Sequence, residues 1–190
     1  MNAEQKICKA FFEEREKKLY YSQLKELTIL SHSSLQNILQ KLVNGGVLIE
    51  EKTKSNKFYS IKNKKLMSLK FSELALEKFK ELNLGVRVPL MNFLENIPKE
   101  IYCIILFGSA SRKEETEKSD IDLLIISNKK TNIENNKKAG DLISRYPLSI
   151  FECNVKDFIK NQDDIIIQSI KTGFPIYKEQ NFYEAILDEY

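Results

Sequence analysis

The sequence of 190 residues has no tryptophan, a single histidine, four prolines and six glycines. So little Pro and Gly excludes collagen-like and low-complexity classes, while 42% hydrophobic content is enough for a core in one domain or two small ones. Long apolar runs are also missing. The longest, Ile101 to Phe107, falls far short of the roughly 20 residues that span a bilayer, and the polar N-terminus lacks a signal-peptide core. No membrane partner is expected, and the expected location is the cytoplasm. Cys8, Cys103 and Cys153 are odd in number and far apart, so with His32 alone they make neither a disulfide framework nor a Cys/His zinc site. They read as reduced core residues. Chemistry must therefore come from carboxylates.

The formal charge of +3 conceals an asymmetry. Residues 1–70 hold 14 Lys and Arg against 7 Asp and Glu, whereas residues 71–190 hold 16 against 20. A basic segment suits a polyanion such as DNA, and an acidic one with closely spaced aspartates suits metal ions.

Residues 3–17 set Ile7, Cys8, Phe11 and Phe12 at helical spacing, which predicts an amphipathic first helix. Ser22 is read as the N-cap of a second helix over 23–28, and Ser33 as the N-cap of a third that runs to Asn44. In the third, Leu35, Ile38, Leu39 and Leu42 share one face, leaving Ser34, Gln36, Asn37, Gln40 and Lys41 outward. Gly45-Gly46 stops that helix, and strand-like runs over 47–51 and 58–61 flank the polar turn from Lys52 to Lys57. Three helices followed by a basic-tipped hairpin resemble the winged helix-turn-helix domain of prokaryotic transcription regulators. The resemblance implies DNA as partner, with Gln36 and Asn37 at base edges, Lys41 on the same outward face, and Lys52, Lys54 and Lys57 at phosphates. Winged helices also dock proteins or dimerise, so a homodimer stays open.

Residues 64–84 give a further helical pattern, and a domain boundary is placed within or just after it, dividing 1–85 from 86–190. A short helix is expected from Pro89 to Asn96, because the Val88-Pro89 step disfavours an earlier start.

The run from Ile101 to Phe107 is rich in β-branched and aromatic residues, as in a fully buried strand, and it ends at Gly108-Ser109. Glycine at a strand end lets backbone N–H groups approach a ligand, and the serine adds a hydroxyl donor, a combination that suits phosphate. Downstream, Ser119-Asp-Ile-Asp122 enters a second apolar strand. Strand alternation puts Asp120 and Asp122 on one face with Cα atoms about 6.5 Å apart, and a divalent cation offsets two such anions.

Leu106-Phe-Gly-Ser-Ala-Ser-Arg112 followed by Ser119-Asp-Ile-Asp-Leu-Leu124 resembles the signature of the polymerase-β-like nucleotidyltransferases, over about residues 88–180. The resemblance implies a mixed sheet with flanking helices, making the whole chain α/β (α+β). It further implies transfer of a nucleoside monophosphate from a nucleoside triphosphate, expected to be ATP, to an acceptor hydroxyl, an activity of the EC 2.7.7 class. Gly108, Ser109, Arg112 and Ser119 would bind the nucleotide, and two Mg²⁺ ions would sit on Asp120, Asp122 and a third carboxylate.

That third role is assigned to Glu152, in an expected strand over 148–155 where Leu148, Ile150, Glu152 and Asn154 share a face. Whether Glu152 acts as general base or metal ligand only stays open. Asp157, the competing acid, is read as the cap of a helix over 158–171. One departure from the family pattern is Lys113, where a small residue, commonly glycine, is usual. Besides a transferase, the same residues suit a regulator whose transferase domain senses nucleotide, or an adenylylating antitoxin with a toxin or other protein as acceptor.

Overall fold

The computed structural model describes residues 1–14, 16 and 18–187. It divides into two compact units, one comprising residues 1–74 with the chain from Tyr183 onward, the other comprising residues 75–182. The division falls within the helix over 64–80, the earlier of the two expected places and some ten residues before 85/86, and the end of the last helix joins the first unit.

The first unit begins with α1 (Ala3–Glu14), β1 (Lys18–Tyr20), α2 (Tyr21–Thr28) and α3 (His32–Asn44). Helix α3 starts earlier than expected because Ser31, not Ser33, is its cap, its hydroxyl accepting the Ser34 N–H at 3.3 Å. The cap of α2 also moves, to Tyr20, whose N–H is taken by the Gln23 side chain at 2.8 Å. The single histidine has a structural partner here, with Nδ1 of His32 2.8 Å from the Tyr21 hydroxyl. The hairpin is β2 (Leu48–Lys52) with β3 (Lys57–Ile61), and β1 pairs with β3 to give the order β1-β3-β2. The first half of α4 (Lys64–Lys80) then closes the unit. Phe12, Phe71 and Tyr183 meet edge to face at 5.3–5.6 Å, which explains why the chain from Tyr183 belongs to this unit.

The second unit continues with α5 (Leu84–Leu94), β4 (Ile101–Phe107), α6 (Gly108–Ser111), β5 (Ile121–Ser127), α7 (Glu134–Ile143) and β6 (Leu148–Cys153). It is completed by α8 (Val155–Lys160), α9 (Asp164–Thr172), β7 (Phe174–Tyr177) and the start of α10 (Glu179–Leu187). Its sheet runs β6-β5-β4-β7, with β5 and β6 parallel and the other pairs antiparallel. Between Ile101 and Phe107, and between Ile121 and Ile126, the strands are almost wholly buried, as uninterrupted apolar runs demand. Helix α5 runs through Pro89, which occupies its buried face with Val86, Leu90 and Phe93. There the missing N–H forgoes one helical bond while the ring packs inward.

The single helix expected over 158–171 is two. Asn161 adopts a left-handed conformation at φ 51° and ends α8, and Asp163 caps α9 by accepting the Ile165 N–H at 2.9 Å. Asn154, not Asp157, caps α8, accepting the Asp157 N–H at 2.9 Å. The three cysteines are free, with Cys8 and Cys103 buried. No helix among the described residues is long and apolar enough to cross a membrane.

Candidate active site

Strand β4 delivers the chain to Gly108, and the turn there has a definite steric cause. Gly108 lies at φ +72°, and a Cβ on it would sit 2.2 Å from Oδ2 of Asp122. Only glycine satisfies both the left-handed backbone and this approach of main chain to carboxylate. Helix α6 follows at once, so the N–H groups of its first residues have no partner within the helix. Ser111 Oγ donates to the Gly108 carbonyl at 2.8 Å and to that of Thr172 at 3.1 Å, fixing the turn.

Arg112 and Ser119, expected to bind nucleotide, both hold the loop. Arg112 donates from Nη1 to the Gly108 carbonyl at 3.0 Å and from Nε to Glu114 at 2.7 Å, and Ser119 Oγ accepts the Thr116 N–H at 2.8 Å. Lys113 adopts φ +61°, the left-handed geometry that glycine takes most easily, and pairs with Glu81 at 3.2 Å. The turn therefore keeps the backbone shape for which a glycine would serve, with a lysine in it.

Asp122 is half-buried and enters β5 in a row across the sheet. It pairs with Phe107 of β4 on one side and Ser149 of β6 on the other. Its carboxyl is held above the ordinary aspartate range, first by burial and then by the charge of Asp120, which is exposed just before the strand. The two aspartates therefore repel each other, as their spacing anticipates.

Glu152 does not join them. It pairs with Ile125, three residues beyond the Asp122–Ser149 row, a distance of about 10 Å along the strand. Paired residues of parallel strands share a face, and an odd offset reverses it, so Glu152 projects from the opposite side of the sheet. Phe151, not Glu152, is on the Asp122 face, its ring 5.8 Å from that of Phe107. Glu152 instead lines a cavity of about 1000 Å³ at the carboxyl ends of β5 and β6, with Cys153, Asp157 and Lys160. Among the described residues no group of three His, Cys, Asp or Glu side chains is placed to hold a metal ion. Asp120 and Asp122 thus fit one hard cation, but a pair of Mg²⁺ ions sharing three carboxylates does not fit. The residue overlooked in the sequence is Ser149. Nothing within its own strand distinguishes it, and only the register with β5 sets it beside Asp122.

Residues 90–182 match the polymerase beta nucleotidyltransferase family model. The matched segment contains the Gly108 turn, both aspartates and every strand of this sheet. The match supports a general nucleotidyltransferase function for this domain. No curated protein and no solved structure matches the chain.

The residues expected to meet DNA all lie in the first unit. Gln36, Asn37 and Lys41 are exposed on α3, and Lys52 and Lys57 end the paired strands of the hairpin, with Lys54 in its turn. Two of these cations have acidic partners, Lys41 on Glu4 at 2.9 Å and Lys52 on Glu50 at 3.1 Å. Lys57 also helps to hold the Glu50 carboxyl below its usual range, after hydrogen bonds from Tyr59 and Lys52.

Proposed function

We propose that the second unit binds a nucleoside triphosphate, ATP being the expected one, through the Gly108-Ser109 turn and Asp120 with Asp122. In this reading it transfers the nucleoside monophosphate to an acceptor hydroxyl, an activity of the EC 2.7.7 class. The observation that carries the proposal is the approach of Gly108 to Asp122, which brings the start of α6 and a raised carboxyl together at the mouth of one strand pair. The N–H groups at the start of α6 and the Ser109 hydroxyl would take phosphate oxygens. Asp120 and Asp122 would hold one divalent cation, Mg²⁺ in the cell, which offsets their charge and polarises phosphate. In the transfer the acceptor oxygen bonds to the α-phosphorus, the bond from that phosphorus to the bridging oxygen breaks, and pyrophosphate leaves. The acceptor proton passes to solvent.

The first unit, in the same reading, is a winged-helix module that binds duplex DNA through the exposed face of α3 and the hairpin lysines. A second reading, a regulator that binds the triphosphate without turning it over, is favoured by the absence, among the described residues, of a third acid grouped with Asp120 and Asp122. Incubation of α-labelled NTP with Mg²⁺ and a lysate of the source cell distinguishes the two. Transfer of label by the wild type and its loss in Asp122→Asn supports the transferase. Nucleotide binding without any transfer of label supports the regulator.

A further inference from the structure

We infer that this site is built to hold a single divalent cation, because Ser149 occupies the position on β6 from which a third carboxylate would have to reach it. The inference rests on the nucleotide site proposed above and concerns how many metal ions that site takes. Ser149 is the register partner of Asp122 in an unbroken parallel pairing that runs from Ile121–Leu148 to Ile126–Cys153. Its side chain therefore stands on the Asp122 face, in the row that continues to Phe107, the residue before Gly108. The next position of β6 on that face is Phe151, whose ring packs against Phe107 and has no donor atom for a cation. Beyond it comes Cys153, which pairs with Ile126 and so lies four residues, about 13 Å, along the strand from the Asp122 row.

The flanking strands supply no substitute. On β4 the row holds Phe107, and the adjoining positions are Leu106 and the main chain of Gly108. In the loop before Asp120, Glu114 is engaged by Arg112 and Glu117 by Arg145, while Glu115 accepts from Asn83 through one oxygen and keeps the other buried without a partner. The formal charge at the mouth of the β4–β5–β6 strands is that of Asp120 and Asp122, matching one divalent cation. A second such ion brought alongside would meet a neutral hydroxyl and the repulsion of the first.

Manganese(II) is the probe, followed by its paramagnetic resonance signal in the full chain with and without a non-hydrolysable nucleoside triphosphate. One Mn²⁺ per chain is expected, lost in Asp122→Asn and unchanged within about twofold in Glu152→Gln. Ser149→Asp is expected to tighten Mn²⁺ at least tenfold or to add a second equivalent. Two equivalents in the wild type, both removed by Asp122→Asn, would overturn the inference, as would weakening by Glu152→Gln. Wild-type stoichiometry and Glu152→Gln decide the matter even if Ser149→Asp does not fold. Absence of any Mn²⁺ or nucleotide binding would strike the proposed site itself. Binding of one ion without label transfer would remove the transferase reading and leave the single-cation site standing.

Discussion

Residues 1–70 carry net positive charge and residues 71–190 net negative charge, and the candidate binding residues of each sit in opposite electrostatic settings. In the first, several cations already have partners: Lys18 with Glu51 at 2.6 Å, Lys41 and Lys70 with Glu4 at 2.9 and 2.7 Å, and Lys52 with Glu50 at 3.1 Å. In the second, burial and then the charge of Asp120 push the Asp122 carboxyl up, and among the described residues no cation forms an ion pair with either aspartate. Charge that is paired stabilises the fold modestly and is withheld from a ligand, whereas charge left unpaired destabilises the fold until a ligand arrives. The larger net charge of residues 1–70 therefore overstates their readiness for a polyanion, and the smaller acidic excess elsewhere conceals the more concentrated demand.

The largest effect is expected from Asp122→Asn. It should reduce divalent-cation and nucleotide affinity on the order of 100-fold, the upper end of what losing a group that supports a metal costs. Titration calorimetry with Mn²⁺ and a nucleoside triphosphate reads this directly, and unchanged affinity would remove the contrast between the units.

The same substitution should raise thermal stability at neutral pH. A raised folded-state value means that the native chain retains a proton which the unfolded chain releases as pH climbs past the ordinary aspartate value. The penalty therefore grows with pH through the interval between the two values, is complete above the folded one, and is absent below the unfolded one. Wild type should melt below Asp122→Asn at pH 7, and the gap should close in acid. Mn²⁺ should raise the wild-type melting temperature and leave the variant's unchanged.

How much of this was legible in the sequence depends on whether the information lay within one segment or between two. The buried strand over 101–107, the Gly108 turn, the paired aspartates and the hairpin each announce themselves locally, through apolar runs, turn residues and period-two spacing. Glu152 shows the limit. That Leu148, Ile150 and Glu152 share a face is readable from alternation, and the register agrees, but which face also holds Asp122 depends on a one-residue choice of pairing. Similarly, β1 has only three residues and exists through its pairing with β3. The break at Asn161 turns on a left-handed backbone that a polar residue adopts without advertising it.

A smaller effect is expected from replacing Lys52, Lys54 and Lys57 together by alanine, which tests the hairpin as a phosphate-binding element. Were all three on phosphates, the slope of log affinity against log salt would fall by nearly 3. With Lys52 held by Glu50 the expected fall is about 2. Fluorescence anisotropy of a labelled duplex over a salt series measures it, and an unaltered slope would take the hairpin out of DNA recognition.

The smallest effect sharpens the comparison most. Glu4 bonds both Lys70 and Lys41, and these bonds hold its carboxyl below the usual range. A depressed folded-state value contributes stability that is present above the unfolded value of 4.5 and lost as pH falls through the folded one. Glu4→Gln should therefore cost about 1 kcal/mol at pH 7, since Lys41 is largely exposed, and little once the Glu4 carboxyl is protonated in the folded chain as well as the unfolded one. It also releases Lys41 on the outward face of α3. If that face meets DNA, duplex affinity should rise while the melting temperature falls, because a cation formerly neutralised within the unit becomes available to phosphate. If stability falls and affinity stays put, Lys41 belongs to the internal charge balance of the first unit alone.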